Sequence, residues 1–129
     1  MRKFKLNKLI RDKVFDSMLD MKQRVDYKIL NKTELIDALK EKLSEESLEF
    51  DPSSDEPLRE LADLQEIIDT LVREMDFTKA DLMKIQDLVR EKRGGFQKKV
   101  FVDTVTLDDK DGWVKYYAND PEKFPEIKS

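Results

Sequence analysis

Apolar residues recur every three or four positions through four successive stretches of the chain, a period that helices satisfy and strands do not. Ile10, Val14, Phe15, Met18 and Leu19 predict a helix over 9–23. Leu35, Leu39, Leu43 and Phe50 predict a second, from about 31 to 50. Asn31 with Glu34 three residues on has the pattern of a capping box at its start. DPSSDEP (51–57) breaks it, and a third helix follows with Leu61, Leu64, Ile67, Ile68, Leu71 and Met75. Asp55 is its expected cap, with Pro57 tolerated in the first turn. A fourth runs from Thr78, as cap, to about 93, where Gly94 sits as a C′ glycine would.

Only three glycines occur in 129 residues, against 42% charged residues. That composition suits a small helical bundle and disfavours a β-sandwich or a Gly-rich nucleotide fold. After the helices, the β-branched run KKVFVDTVTL (98–107), the turn DDKDG (108–112) and WVKYY (113–117) predict a short β-hairpin. The fold expected is therefore mainly α, a four-helix bundle with a short C-terminal β-hairpin. One domain is expected over 1–107, followed by hairpin and irregular tail over 108–129.

The chain has neither cysteine nor histidine. Disulfides, thiolate metal sites and the histidine-based forms of nucleophilic catalysis are thereby removed. Any metal has to be a hard cation held by oxygen, which points to Mg²⁺, or Mn²⁺ in its place. No apolar stretch is long enough for a membrane span, and the basic N-terminus lacks the apolar core of a signal peptide. A cytoplasmic location is expected.

Charge is segregated. Residues 1–13 carry six basic residues and one Asp, a net of +5. Residues 45–69 carry ten acids against Arg59 alone, a net of −9. Residues 90–99 carry five basic residues against one acid, a net of +4. Solvated faces of a charged bundle would explain this. So would an acidic metal centre flanked by phosphate-binding cations.

Helical geometry favours the second explanation within residues 45–63. Glu46 lies only about 20° from Leu39 on an ideal wheel, inside the apolar stripe of its helix, and Glu49 lies at the edge. Glu60 falls in the stripe of Leu64, Ile68 and Leu71, and Asp63 again lies at the edge. A short turn makes the two helices antiparallel neighbours, so all four carboxylates converge. Two unit charges ~4 Å apart repel by about 4 kcal/mol at an effective dielectric near 20. Several such pairs are tolerable only if protonated or neutralised by a divalent cation.

KLIRDK (8–13), EESLE (45–49), ELAD (60–63) and EKRGGF (91–96) together resemble the MazG-like all-α nucleotide pyrophosphohydrolases, in the branch similar to phosphoribosyl-ATP pyrophosphohydrolase. The likeness spans about residues 6–102, with a short gap of ten residues between Glu49 and Glu60. The tail from about 103 has no counterpart. The resemblance implies hydrolysis of the α–β phosphoanhydride of a (d)NTP or related nucleotide, giving NMP and pyrophosphate. It implies Mg²⁺ on Glu46, Glu49, Glu60 and Asp63, and assembly as a homodimer or higher homo-oligomer.

Further roles follow from that chemistry. Glu45, with Glu46, is the catalytic candidate that orients or deprotonates the attacking water; an exposed surface acid is the plainer reading of Glu45. Arg11, Lys13, Lys42, Lys92 and Arg93 are candidates for binding the substrate phosphates, since displacement at phosphorus needs positive groups. Each could equally be a solvated cation, and Lys42 could simply pair with Glu46. Phe96, Tyr27 and Trp113 are candidates for stacking on a base. A non-catalytic helical interaction module is the competing reading. The −9 block weakens nucleic-acid binding, and DDKDG lacks the spacing of a calcium-binding EF-hand loop.

Overall fold

A computed structural model describes residues 1–128 and contains five helices: α1 Asp12–Asp20, α2 Lys32–Glu49, α3 Pro57–Glu74, α4 Lys79–Arg93 and α5 Trp113–Ala118. The chain divides into two compact units, Met1–Lys92 and a second that begins at Arg93. The protein is all-α. None of the described helices is long and apolar enough to cross a membrane.

In the first unit, α2 and α3 form the one helix pair that packs closely among the described residues. Each has 18 residues, about 27 Å at the usual rise. Their antiparallel course is tied at the open end, where the Lys32 Nζ at the start of α2 donates to Asp76 Oδ2 just past α3, at 2.9 Å. This contact with Asp76 raises the Lys32 pKa above its ordinary value. Leu39 from α2 and Ile67 from α3 are the buried apolar residues among the described ones, 3% and 5% exposed. Leu35, Leu43, Leu64, Ile68 and Leu71 are half-buried around them. The middle of the stripe read from the sequence is thus the face that packs, whereas Leu61 and Met75, read as part of it in α3, stay exposed.

Helix ends follow local chemistry. Asn31 Oδ1 accepts from the Glu34 N–H at 2.9 Å, and Glu34 Oε1 accepts from the Asn31 N–H at 3.2 Å, completing the expected capping box. Thr78 and Asp81 exchange the same pair of bonds at the start of α4. Glu56, rather than Asp55, occupies the N-cap of α3, and its side chain makes no cap hydrogen bond; Pro57 stands in the first turn as expected. Gly94 follows α4 at φ +81°, the left-handed conformation that suits a residue without Cβ.

α1 is shorter than the 9–23 read from periodicity. Its end is set by Lys22, which adopts φ +58°. The Lys22 N–H donates to the Leu19 carbonyl and the Gln23 N–H to the Met18 carbonyl, the two bonds of a Schellman motif. The same motif closes α3, with Asp76 at φ +64° and Phe77 N–H donating to the Val72 carbonyl.

The C-terminal β-hairpin is not present. Among the described residues no strand forms: 98–107 has no partner for a ladder, and Lys99 at φ +57° interrupts its start. The 108–112 turn leads instead into α5, where Asp111 Oδ1 accepts from the Trp113 N–H at 2.9 Å. Spacing explains the outcome. Trp113, Tyr116 and Tyr117 share one helical face, whereas a strand would send Tyr116 to the side opposite the other two. As a helix, Tyr116 stacks against Trp113 at 5.4 Å and against Tyr117 at 5.2 Å, and both tyrosines meet Phe124, at 5.6 and 5.0 Å.

The α2 cap carries a pH signature. The Lys28 ammonium, first, and the Asn31 N–H hold the Glu34 carboxyl below its ordinary pKa. Its contribution to stability is therefore complete above the unfolded-state value and lost as pH falls through the folded-state value. Glu34→Gln retains a capping box but has no charge to titrate. The fall in urea midpoint between about pH 6 and pH 3 should be smaller in Glu34→Gln than in the parent.

Candidate functional site

The α2–α3 turn organises the acidic residues. Asp51 Oδ1 accepts from the Ser53 N–H at 2.9 Å and the Ser53 hydroxyl at 2.7 Å, closing an Asx turn. Those two bonds, the hydroxyl's first, hold the Asp51 carboxyl below its ordinary pKa. Glu60, in the first turn of α3, reaches back across it. Its Oε1 accepts from the Asp51 N–H at 3.2 Å, and its Oε2 accepts from the Ser54 hydroxyl. A core-facing carboxylate is thus held by donors of the turn itself.

A cleft of about 370 Å³ opens beside this turn. Glu46 and Glu49 of α2 form one wall, and Glu60 and Asp63 of α3 form the other. Ser54, Asp55 and Glu56 of the turn and Arg59 of α3 complete it. All four acids expected to bind metal therefore line one cavity. Glu46, Glu60 and Asp63 are half-buried there and Glu49 is exposed.

The donor set is oxygen throughout, as a hard divalent cation requires. Yet among the described residues no three acidic side chains gather tightly enough to form a ready-made cage. Each inner carboxylate is engaged elsewhere: Asp63 Oδ1 pairs with Arg11 Nη2 at 2.9 Å, Glu46 Oε1 with Lys42 Nζ at 3.7 Å, and Glu60 with the turn.

The remaining expected residues are distributed differently. Arg11 and Lys42 reach the acids, as described. Glu45 lies exposed on α2 and is not part of the cleft wall. Lys13 is exposed on α1 and Lys92 at the end of α4, neither lining the cleft. Arg93 is exposed and begins the second unit. Of the three aromatic candidates, Tyr27 packs its ring on Phe15 at 4.7 Å, Phe96 is 96% exposed, and Trp113 joins the α5 cluster.

Arg59, Ser54 and Glu56 belong to the site but carry no separate signal in the helical wheel. Arg59 is the cation of the cleft wall, with its Nη1 donating to Glu56 Oε2 at 2.7 Å. The clue available was the ten-residue gap between Glu49 and Glu60, which makes turn residues part of any site between them.

Comparison with known proteins finds no matching family model, no similar curated protein and no similar solved structure.

The bond from Ser54 to Glu60 makes a direct prediction. Ser54→Ala should lower unfolding stability by about 1 kcal/mol, the usual net value of such a bond. Urea denaturation followed by circular dichroism measures it, and an unchanged midpoint would show that Glu60 is held without Ser54.

Proposed function

We propose that the protein is a Mg²⁺-dependent nucleotide pyrophosphohydrolase of the MazG-like type, acting in the cytoplasm on a (d)NTP or a related nucleotide to give NMP and pyrophosphate. The observation that carries this reading is the pairing of Glu46 and Glu49 with Glu60 and Asp63 across one cleft. Glu46, Glu49, Glu60 and Asp63 are the residues that would hold Mg²⁺, which when bound supplies Lewis-acid polarisation of phosphoryl oxygen and neutralisation of charge. Mn²⁺ suits the same oxygen donors.

The chain's own groups have distinct work in this reading. Arg59 stands over the cleft, tethered by Glu56, where a guanidinium can take phosphate oxygens in a fixed fork. Arg11 and Lys42 already reach the acids and supply further positive charge for the leaving pyrophosphate. Lys13, Lys92 and Arg93 are further candidates for the same task. Glu45, next to Glu46 in sequence, is the candidate to orient or deprotonate the attacking water, with Glu46 as its catalytic neighbour.

The homo-oligomer forms part of the proposal. Met83, Ile85, Leu88 and Val89 of α4 are each 47–58% exposed, and Leu58 and Leu61 of α3 are exposed as well. A second copy that covers these side chains removes apolar surface from water, at roughly 25 cal/mol per Å². A four-helix bundle is then completed between chains, around the α2–α3 pair. The same exposed apolar residues favour the competing reading, a non-catalytic interaction module. Activity separates the two.

Pyrophosphate release from a nucleotide panel should be abolished by EDTA and reduced at least about 100-fold by Glu46→Gln, the scale of losing electrostatic support in the transition state. Turnover that persists without metal would falsify the mechanism. Sedimentation velocity should give a dimer or larger species. Ile85→Glu with Leu88→Glu should shift it toward monomer, and a parent that sediments as a monomer would remove the assembly.

A further inference from the structure

Two cations reach the inner acids of the cleft, Asp63 and Glu46, and they differ in kind. Lys42 and Glu46 lie one turn apart on the same helix, so their 3.7 Å pair is a local contact that any such spacing allows. Arg11 and Asp63 lie 52 residues apart in sequence, and their 2.9 Å hydrogen bond joins the entry to α1 with the acidic wall of α3. The Arg11 side chain makes no cap hydrogen bond in α1, although its backbone occupies the N-cap. Among the described residues Asp63 is the polar partner of the guanidinium, and the pair is not deeply buried: the two side chains are 55% and 33% exposed.

Such a pair is weak and exchangeable. A half-exposed ion pair contributes little net stability, and solvent reaches both partners. Arginine keeps its charge at any accessible pH and matches phosphate in geometry as well as it matches carboxylate. Asp63 gives Oδ1 to the guanidinium and has Oδ2 as its second acceptor; a divalent cation on the same carboxylate would stand close to the guanidinium, and the repulsion between the two positive charges weakens the Arg11 contact.

We propose that Arg11 is an exchangeable counter-ion and a positioning residue for the nucleotide: it neutralises Asp63 while the cleft holds no cation, and it yields Asp63 and turns to a substrate phosphate when a divalent cation binds. This inference rests on the pyrophosphohydrolase reading of the cleft and describes how that site is regulated. It makes occupation by cation and by triphosphate mutually reinforcing, because each favours the state in which Arg11 has left Asp63. Such coupling is reciprocal by thermodynamic linkage.

The test measures binding rather than turnover, on the full chain, with Mn²⁺ as the probe and paramagnetic resonance of free Mn²⁺ as the readout. In Arg11→Ala, Mn²⁺ alone should bind roughly two- to fivefold more tightly than in the parent, because a competing charge has gone. The gain in Mn²⁺ affinity that a non-hydrolysable nucleoside triphosphate gives the parent should shrink in the variant. Arg11→Lys, which keeps the charge, should stay close to the parent for Mn²⁺ alone. Lys40→Ala, which removes a charge from an exposed α2 position, is the control and should leave the affinity unchanged. Circular dichroism confirms that each variant folds.

If the parent binds Mn²⁺, Glu46→Gln weakens that binding, and Arg11→Ala leaves it unchanged or weaker, the counter-ion role is overturned while the metal site stands. A parent that binds no Mn²⁺ at millimolar concentration, with or without the triphosphate, overturns both the site and the exchange built on it.

Discussion

The packing of α2 against α3 is the constraint around which the first unit is arranged. Packing Leu39 and Ile67 against one another brings α2 and α3 together, and the same rotation turns Glu46 and Glu60 toward a common cleft. The two consequences cannot be separated, because the acids sit within the stripes that pack. The protein meets the resulting cost with three distinct partners: a guanidinium from the start of α1, an ammonium one turn earlier on α2, and hydrogen-bond donors of the turn. Charge that would oppose the hairpin is in this way held by groups the hairpin itself recruits.

The turn between the helices does more than reverse the chain. Asp51 folds it through Ser53, and Ser54 and the Asp51 N–H then restrain Glu60. At the start of α3 the N-cap side chain of Glu56 makes no cap hydrogen bond and accepts from Arg59 instead, while Glu60 in the first turn reaches back to donors of the turn. Placing Asp and Glu near a helix N-terminus is favourable in its own right, since the unpaired N–H groups there attract negative charge. Pro57 and the acids that follow it therefore serve the start of α3 as well as the cleft.

The second unit illustrates how local pattern and available partners compete. KKVFVDTVTL has the composition of a strand, but a strand needs a ladder, and WVKYY gains more by bringing Trp113, Tyr116 and Tyr117 onto one face against Phe124. β-branched composition is a statement about fit to a pleated surface, and without that surface it decides little. In the first unit, by contrast, the period and the observed burial agree residue for residue across Leu35, Leu39, Leu43 and Glu46.

From the sequence alone came the all-α class, the limits of α2, the capping box at Asn31, the cap at Thr78, and the placement of Glu46, Glu49, Glu60 and Asp63 on either side of one turn. These are legible because they depend on periodicity and on contacts within a few residues. Tertiary structure decided that Arg11 finds Asp63 across 52 residues, that Arg59 enters the cleft, and that residues 113–118 coil rather than extend. Each of these depends on which distant or competing group is within reach. Periodicity assigns a residue to a face, but only the folded chain determines what stands opposite it.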